Sequence, residues 1–471
     1  MQITIAPYRQ KLALGLTLLL GLGLWWCNFN ARGLFLDEAN LALNVSELSW
    51  AELFGPLRYE QYAPPLYLIC LKALGSTLGY DEAILRLPSL LGSILTLAGL
   101  VAAGRRLGLK EWSLAPVAFC FVSPLVLRYV GELKPYALDM GLAAMIIAWT
   151  LSKPKPQWWQ IPIGISLVWL SFPAIFCLAA TGIYVLTTSK IDSKKWLLIG
   201  TSWVFGFAVL YTLLLDDQSS KSGLQTYHSI YFFPWKFWTL DAWLNAARLS
   251  QFPLKHGFGY TVLAQVVSSI AILCFLLTNK RDNWRIILLL LGPTLLAVGA
   301  SILGKYSLIP RLMLFSFPGF WLAAALGWQW LQNRLAPKWG MIVPAVVLLL
   351  IPGTNVIRHY RSPLQVGQVK NMLNSLSGTN PVFVDYWAVP ALRYYREIHE
   401  PKLGPNVVYH YCEDLCPSLD ARPPYTLIFS MKTIEGVNQK ISETKDRLSS
   451  NSTKIQEEFF FRGQIIKVGL K

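Results

Sequence analysis

The sequence predicts an all-α polytopic membrane protein with about 11 transmembrane helices and a small α/β domain at its C-terminal end. Of its residues, 54% are hydrophobic and only 14% are charged, whereas soluble domains carry about 25% charged residues. The 19 Trp and 20 Tyr residues are typical of aromatic belts at the membrane interfaces. The net charge of +16 lies in short basic clusters between apolar segments, which indicates topology signals and anionic membrane lipids as partners, not nucleic acid.

Eleven segments are predicted to span the membrane, since a crossing helix needs about 20 mostly apolar residues. They are 12–29, 84–104, 112–129, 135–152, 158–172, 173–189, 196–215, 261–278, 286–304, 311–331 and 339–355. The apolar stretch 64–79 is shorter and is predicted to be a juxtamembrane or re-entrant helix. No A-x-A cleavage site follows the first segment, so it is predicted to stay as an uncleaved helix.

The short basic loops predict the orientation. With the N-terminus in the cytoplasm, each inner loop is basic, and these loops hold Arg105, Arg106, Lys110, Lys153, Lys155, Lys190, Lys194, Lys195, Lys280, Arg281, Arg285, Arg334 and Lys338. Counting 64–79 as a full span would reverse every later basic loop. The predicted location is therefore a cytoplasmic (inner) membrane. Residues 356–471 are predicted to lie on its outer face, or on the topologically equivalent lumenal face.

Two domains are predicted. Residues 1–355 form the transmembrane module, whose long outer loops are 30–83 and 216–260. Residues 356–471 change in character and form an extracytoplasmic α/β domain of about 115 residues, enough for a modest core. Its predicted short strands are "PVFVDYW", "NVVYHY" and "YTLIFS", at 381–387, 406–411 and 425–430.

The seven cysteines include no CxxC pair and no Cys/His cluster, which argues against a structural zinc site. Cys412 and Cys416 lie close together in the C-terminal region. On the outer side of a membrane they could form a disulfide, and two unpaired thiols are an equal alternative.

Polar residues gather at the outer edge of the predicted membrane region. Ionisable groups at membrane depth are costly, so they tend to face a cavity and act there, although terminal Lys and Arg also snorkel to the interface. The cations among them could bind a phosphate, and the carboxylates opposite could accept a proton from a hydroxyl, so together they are candidates for one functional site. The residues concerned are Asp37, Glu38, Gln61, Arg86, Arg128, Glu132, Lys134, Tyr136, Asp216, Asp217, Lys305 and Arg311.

The order of the motifs resembles the GT-C glycosyltransferases, in particular the family of protein O-mannosyltransferases and lipid A aminoarabinose transferases. The resemblance covers most of residues 30–331 in layout. It rests on the Asp37-Glu38 pair, followed by "QYAPPLYL", "RLPSLLGSILTL" and "ELKPYALD". The late segment "YSLIPRLMLFSFPGFWLAAALG" is similar to a further motif of the family, except that Leu312 stands where the family has tyrosine.

The resemblance implies transfer of a sugar from a polyprenyl-phosphate-linked donor, with inversion, at the outer face. Asp37 would be the general base that deprotonates the acceptor. Glu38 would orient the acceptor, support the base or help to hold a metal ion. Arg86 would bind the lipid phosphate, with Lys134 and Arg311 as further contacts, because fixed cations stabilise the charge that develops on the leaving phosphate.

Other roles in the predicted site stay open. Tyr136 and Gln61 are predicted to contact the substrate, although Gln61 also suits a structural role in the turn before the two prolines. Glu132 suits either a partnership with Lys134 or a catalytic role. A divalent cation, Mg or Mn, would have oxygen ligands in Asp37, Glu38 and Asp217, but no spacing rule demands one.

Three other functions remain as alternatives. A lipid or sugar transporter, or a flippase, would have coupling residues near the midplane of two repeated halves, whereas the ionisable residues here cluster at one face. An oligosaccharide polymerase or ligase is also polytopic with large outer loops, but it does not match the Asp-Glu and "PPLY" order. A non-catalytic scaffold would not need the acids and cations. The acceptor, whether lipid, glycan or protein, is open.

Overall fold

The structure is a computed structural model, in which apolar helices are followed by one mixed sheet. It describes residues 19–29, 33–109, 115–188, 192–216, 222–236, 238–278, 284–334, 361, 368–376, 380–399, 408–412, 423–431, 435–450 and 454–469. The boundary predicted at residue 356 and the predicted span 339–355 lie outside the described residues.

The described chain before residue 335 is built of helices. Apolar residues dominate them, and a helix satisfies its backbone N–H and C=O groups internally, as lipid requires. In chain order they are α1 (Leu19–Phe29), α2 (Leu36–Glu47), α3 (Pro65–Leu78), α4 (Glu82–Leu85), α5 (Leu87–Arg106), α6 (Ala115–Val122), α7 (Pro124–Tyr129), α8 (Tyr136–Leu151), α9 (Gln160–Leu170), α10 (Ala174–Thr188), α11 (Ser193–Leu210), α12 (Ser222–Ser229), α13 (Leu240–Ser250), α14 (Phe252–Phe258), α15 (Val262–Thr278), α16 (Trp284–Ile302) and α17 (Phe317–Arg334).

Four helical segments are long and apolar enough to cross a membrane, or up to five if the bent pair of Leu240–Phe258 and Val262–Leu277 is one span. The four are Leu87–Arg106, Ser193–Leu215, Trp284–Ile302 and Pro310–Arg334. Five shorter apolar helices accompany them, namely α1, α3, α8, α9 and α10. The apolar helices thus confirm the membrane class, and the count of eleven spans stays a prediction.

The predicted span 112–129 is not one continuous helix. In its described part, α6 ends at Val122 and α7 begins at Pro124. Pro124 has no backbone N–H to continue the helical ladder. The Ser123 hydroxyl oxygen accepts from the backbone N–H of Val126 at 3.4 Å and donates to the carbonyl of His256 at 2.7 Å. The prediction of a single helix here is wrong because Ser123 caps a new helix at this point.

Helices α5 and α8 approach each other closely through glycines. A Cβ added at Gly141 would lie 2.2 Å from the carbonyl oxygen of Gly92, and one added at Gly92 would lie 2.4 Å from the backbone of α8. Small residues at a helix crossing permit this approach in membrane proteins. The crossing places the start of α5 next to the segment before α8. Arg86 lies just before α5, and Lys134 lies in the segment before α8.

The C-terminal region forms a five-stranded sheet in the order β2-β1-β3-β5-β4. β1 pairs in parallel with β2 and β3, whereas β5 is antiparallel to β3 and β4. The three strands predicted from sequence are present. The elements are α18 (Val369–Asn374), β1 (Val382–Asp385), α19 (Val389–Arg393), β2 (Tyr409–Cys412), β3 (Tyr425–Ser430), α20 (Glu435–Ser450), β4 (Lys454–Phe460) and β5 (Gly463–Gly469).

One hydrophobic core joins this C-terminal region to the first outer loop. Leu41 of α2 and Tyr67 of α3 belong to the same buried cluster as Val384 of β1 and the adjacent Tyr394 and Tyr395. The sheet region therefore packs directly against the helix that carries the Asp-Glu pair. The predicted disulfide lies outside the described residues, because Cys416 and the side chain of Cys412 are not described.

Candidate active site

The start of α2 places two adjacent acids in different environments. Asp37 and Glu38 lie in its first turn, where the helix dipole favours negative charge. One Glu38 oxygen accepts the backbone N–H of Phe35 at 3.0 Å and so helps to close the helix start. The Glu38 side chain is completely buried, whereas the Asp37 side chain is 33% exposed. Asp37 is therefore the acid of this pair that a substrate can reach.

Glu38 forms a buried ion pair with Arg86. Its second oxygen accepts from Arg86 Nε at 3.2 Å and Nη2 at 3.1 Å, and from the backbone N–H of Leu133 at 2.7 Å. Arg86 also donates to the carbonyl of Gly33 at 3.2 Å and is only 1% exposed. The sequence predicted a phosphate contact for Arg86. Its geometry instead favours a role in holding Glu38 and the start of α2.

Arg311 lies beside the accessible carboxylate. Its Nη1 atom is 3.9 Å from Asp37 Oδ2, and both side chains are partly exposed. The Arg311 guanidinium also lies 6.0 Å from the ring centre of Tyr227 in α12. A pair at this distance is loose, so both groups can take other partners when a ligand enters. The predicted neighbourhood of Asp37 and Arg311 is present in the structure.

Lys134 completes this group from a buried position. It is 6% exposed, and its Nζ donates to Gln61 Oε1 at 2.7 Å. Burial lowers the pKa of the Lys134 ammonium group; the Asp37 carboxylate opposes the shift, and the Arg311 guanidinium adds to it. The three charged groups therefore lie close enough to influence one another. Gln61 acts here by orienting Lys134.

The segment between α7 and α8 is held in place by hydrogen bonds to its backbone. The Ser89 hydroxyl in α5 lies 2.7 Å from the carbonyl oxygen of Glu132 and 3.0 Å from that of Lys134. Together with the bond from Leu133 to Glu38, these contacts fix three consecutive residues of the "ELKPYALD" motif. The position of Lys134 is thus determined by α5 and by the start of α2.

The aromatic and acidic residues next to this segment form their own contacts. Tyr136, the first residue of α8, packs edge-on against Tyr129 with 5.0 Å between ring centres. Glu132 pairs with Arg128 at 2.9 Å. The charge of Glu132 also acts on the Lys134 ammonium group, so Glu132 lies between Arg128 and Lys134, and its catalytic role stays a prediction.

The structure adds cations and aromatics that the sequence did not single out for this site. Burial lowers the pKa of Arg462 in the turn between β4 and β5, and the positive charge of Arg128 adds to the shift. Arg462 therefore lies within electrostatic reach of Arg128. Tyr227 is brought to Arg311 from the second outer loop. No local pattern could reveal either residue, because each approaches the site from a distant part of the chain.

Two of the three predicted metal ligands, Asp37 and Glu38, lie in the described part of the chain. No group of three or more His, Cys, Asp or Glu residues suited to a metal ion occurs among the described residues. Both carboxylate oxygens of Glu38 already accept N–H donors, so Glu38 does not fit a metal-binding role. Asp217 lies outside the described residues.

Comparison with known proteins gives a match in fold. No family model matches the sequence, and no curated protein sequence matches it. The structure is similar to that of ArnT from Cupriavidus metallidurans bound to undecaprenyl phosphate, with 13% sequence identity, a TM-score of 0.55 and coverage of 96% of this chain and 97% of that chain. It is also similar to ArnT from the same organism in the apo state, with 14% identity, a TM-score of 0.55 and coverage of 97% and 98%. The similarity confirms the GT-C-like fold that the motif order implied, and the chain shares this fold over nearly its whole length.

Proposed function

We propose that the protein is an integral-membrane glycosyltransferase that transfers a sugar from a polyprenyl-phosphate-linked donor to an acceptor at the extracytoplasmic face. The observation that carries the proposal is the accessible Asp37 carboxylate beside Arg311 and close to the buried Lys134. The GT-C-like fold supports it, because a similar structure, ArnT, was solved with undecaprenyl phosphate bound.

Arg311 and Lys134 are proposed to bind the donor phosphate. Like charges held in one partly buried place repel each other, and a phosphate would relieve that repulsion. Arg guanidinium groups bind phosphate oxygens through charge-assisted hydrogen bonds. Arg128 and Arg462 add positive potential around the same region. Together these groups would stabilise the charge that develops on the phosphate as it leaves.

Asp37 is proposed as the general base. The acceptor hydroxyl or amine would attack the anomeric carbon opposite the leaving lipid phosphate while its proton passes to the Asp37 carboxylate. The bond to the phosphate breaks as the new glycosidic bond forms, so a single displacement inverts the configuration. A phosphate dianion is a good leaving group and needs no strong acid to protonate it.

Glu38, Arg86 and Gln61 are proposed to position this machinery. Glu38 and Arg86 hold the start of α2, and Gln61 orients the Lys134 ammonium group. Tyr136 is proposed to line the donor site from the start of α8. Dependence on Mg or Mn stays a prediction that rests on Asp37 and Asp217, and removal of divalent cations with a chelator tests it.

The proposal is tested with purified protein, a panel of polyprenyl-phosphate sugars and candidate acceptors. We expect acceptor-dependent release of polyprenyl phosphate, with a loss of about 10-fold or more in kcat/KM for Arg311→Gln, because an oriented charge contact is removed. Arg248→Gln is the matched control, since it removes an exposed cation of the second outer loop. Movement of the lipid across reconstituted vesicles without any sugar transfer would favour the transporter alternative instead.

A further inference from the structure

Three consecutive residues before α2 have their backbone polar groups held by three different side chains. The carbonyl of Gly33 accepts from Arg86 at 3.2 Å. The N–H of Leu34 donates to the hydroxyl oxygen of Tyr395 at 2.6 Å. The N–H of Phe35 donates to Glu38 at 3.0 Å. The chain therefore enters the helix that carries Asp37 along a fixed path.

Tyr395 comes from a different part of the chain than the other two side chains. It follows α19 in the C-terminal region and lies 361 residues from Leu34. Its side chain is completely buried in the core that this region shares with α2 and α3. The contact thus links the sheet-bearing region to the first turn of α2.

The Tyr395 hydroxyl is held in one orientation by a second partner. It donates its proton to Glu82, in α4 just before Arg86, and is therefore free to accept from Leu34. Glu82 also pairs with Lys370 at 3.3 Å, and the Lys370 ammonium lies 5.5 Å from the centre of the Tyr395 ring. With donor and acceptor roles both assigned, the hydroxyl cannot rotate without losing a buried hydrogen bond.

Gly33 makes this close approach possible. A Cβ added at Gly33 would lie 2.7 Å from the Tyr395 hydroxyl oxygen, which is too close for a carbon atom. Glycine at this position lets a side chain reach the backbone of the segment. The hydrogen bond between Leu34 and Tyr395 therefore depends on the absence of a side chain at Gly33.

We infer that Tyr395 is a positioning residue for the proposed transfer: its hydroxyl, held by Glu82, sets the start of α2 and thereby the place of the Asp37 carboxylate. The inference rests on the proposed function. A general base must lie within hydrogen-bond reach of the proton that it takes, and a displacement of about 1 Å can lower the rate by about 100-fold. The C-terminal region thus contributes to catalysis through one hydroxyl group.

The test compares Tyr395→Phe with Tyr394→Phe in the full-length protein. Tyr394 is the matched control because its hydroxyl is also buried in this core but donates to the carbonyl of Tyr80 at 2.5 Å, whereas that of Tyr395 accepts from the backbone of Leu34. We expect Tyr395→Phe to lower kcat by about 10-fold or more while the donor KM changes by less than about twofold. Tyr394→Phe should keep the wild-type kcat.

Hydrogen exchange provides a readout that does not need activity. Amide exchange in a peptide that covers residues 33–38 should become faster in Tyr395→Phe and stay unchanged in Tyr394→Phe. If the wild-type protein transfers no sugar, the proposed function fails, whereas the exchange result still decides whether Tyr395 holds this segment.

The inference is overturned if Tyr395→Phe keeps the wild-type kcat, or if both tyrosine variants lose the same activity and so report general destabilisation. Gly33→Ala is a second variant in case Tyr395→Phe does not fold. It keeps the hydroxyl but pushes it away from Leu34, so it should show the same split between kcat and KM. An unchanged kcat in a folded Gly33→Ala protein would also refute the inference.

Discussion

Asp37 and Glu38 are neighbours in the chain, but their surroundings give them different chemistry. Both oxygens of Glu38 accept N–H groups from other segments in a site closed to solvent. Asp37 forms a loose ion pair with Arg311, interacts with the charge of Lys134 and has an exposed edge. A buried, fully bonded carboxylate stabilises a structure, whereas a partly exposed carboxylate can exchange a proton with a substrate. Glu38→Gln should therefore mainly lower stability, whereas Asp37→Asn should mainly lower the rate of transfer.

The stability of the two variants separates these roles. Glu38→Gln should destabilise the protein by about 3–5 kcal/mol, because it leaves the buried Arg86 charge without its partner. Asp37→Asn should leave the unfolding temperature close to that of the wild type, since its ion pair is long and partly exposed. Thermal unfolding in detergent measures both. A Glu38→Gln protein as stable as the wild type would contradict the structural role of this pair.

Lys134 gives the proposed donor site a pH dependence. Its pKa is lowered by burial, so it loses its proton at a pH below the usual lysine pKa of about 10.4. Only the protonated ammonium attracts the donor phosphate. Donor affinity should therefore fall as pH rises through this lowered pKa.

The matched variant for this prediction is Lys134→Arg, because its guanidinium stays protonated at every accessible pH. Titration of lipid-phosphate binding against pH measures both proteins. The wild type should lose affinity at alkaline pH, and the arginine variant should lose much less. Identical pH profiles would show that Lys134 does not contact the phosphate.

At the scale of elements, the crossing of α5 and α8 brings the site together. The first turn of α5 supplies Ser89, which binds the backbone before α8. The close approach of the two helices at Gly92 and Gly141 sets the distance between these groups. The site therefore depends on helix packing in the following turns of α5 and α8.

Enlarging the glycine at this crossing should disturb the site from a distance. Gly141→Ala should destabilise the protein by about 1–3 kcal/mol and weaken donor binding, because its Cβ would lie 2.2 Å from the carbonyl oxygen of Gly92. Gly182→Ala in α10 is the control, since nothing lies within 4 Å of its added Cβ. Thermal unfolding and donor titration measure the two variants. Equal behaviour of both would show that the crossing does not control the site.

Elements with a strong local signal could be predicted from sequence. The apolar stretch 64–79 is indeed the short helix α3, and the three apolar runs near the C-terminus are strands. The break at Ser123 was missed, because apolar composition continues across it and only the proline marks it. Helix ends that depend on a cap at one residue are weaker signals than hydrophobic runs.

Residue partnerships were harder to predict than residue types. The acids and cations of the site could be named from the motif order. Their pairing could not, because sequence does not show that Arg86 is buried against Glu38 while Arg311 reaches Asp37. Tyr395 carried no signal, since a lone tyrosine in a distant region resembles any core residue. These contacts arise from tertiary packing between segments that are far apart in the chain.

At the scale of the whole molecule, the basic loops predict one orientation in the membrane, with the candidate site on the outer face. Asp37, Arg311 and the sheet region that contains Tyr395 are all predicted to lie at the outer face. The structure places Arg311 beside Asp37, and Tyr395 accepts a hydrogen bond from Leu34 just before α2. A reporter fused after Lys471 should therefore lie outside the cytoplasm, on the same side as a tag inserted near Glu60. Opposite locations for the two tags would contradict the predicted orientation.

The central claim is that Asp37 is the base of a sugar transfer from a lipid-phosphate donor. The most direct measurement is the single-turnover rate of transfer by Asp37→Asn at saturating donor, compared with the wild type and with Asp241→Asn, which removes an exposed carboxylate of the second outer loop. We expect Asp37→Asn to bind the donor but to transfer at least about 100-fold more slowly, while Asp241→Asn keeps the wild-type rate. Full turnover by Asp37→Asn would contradict the claim.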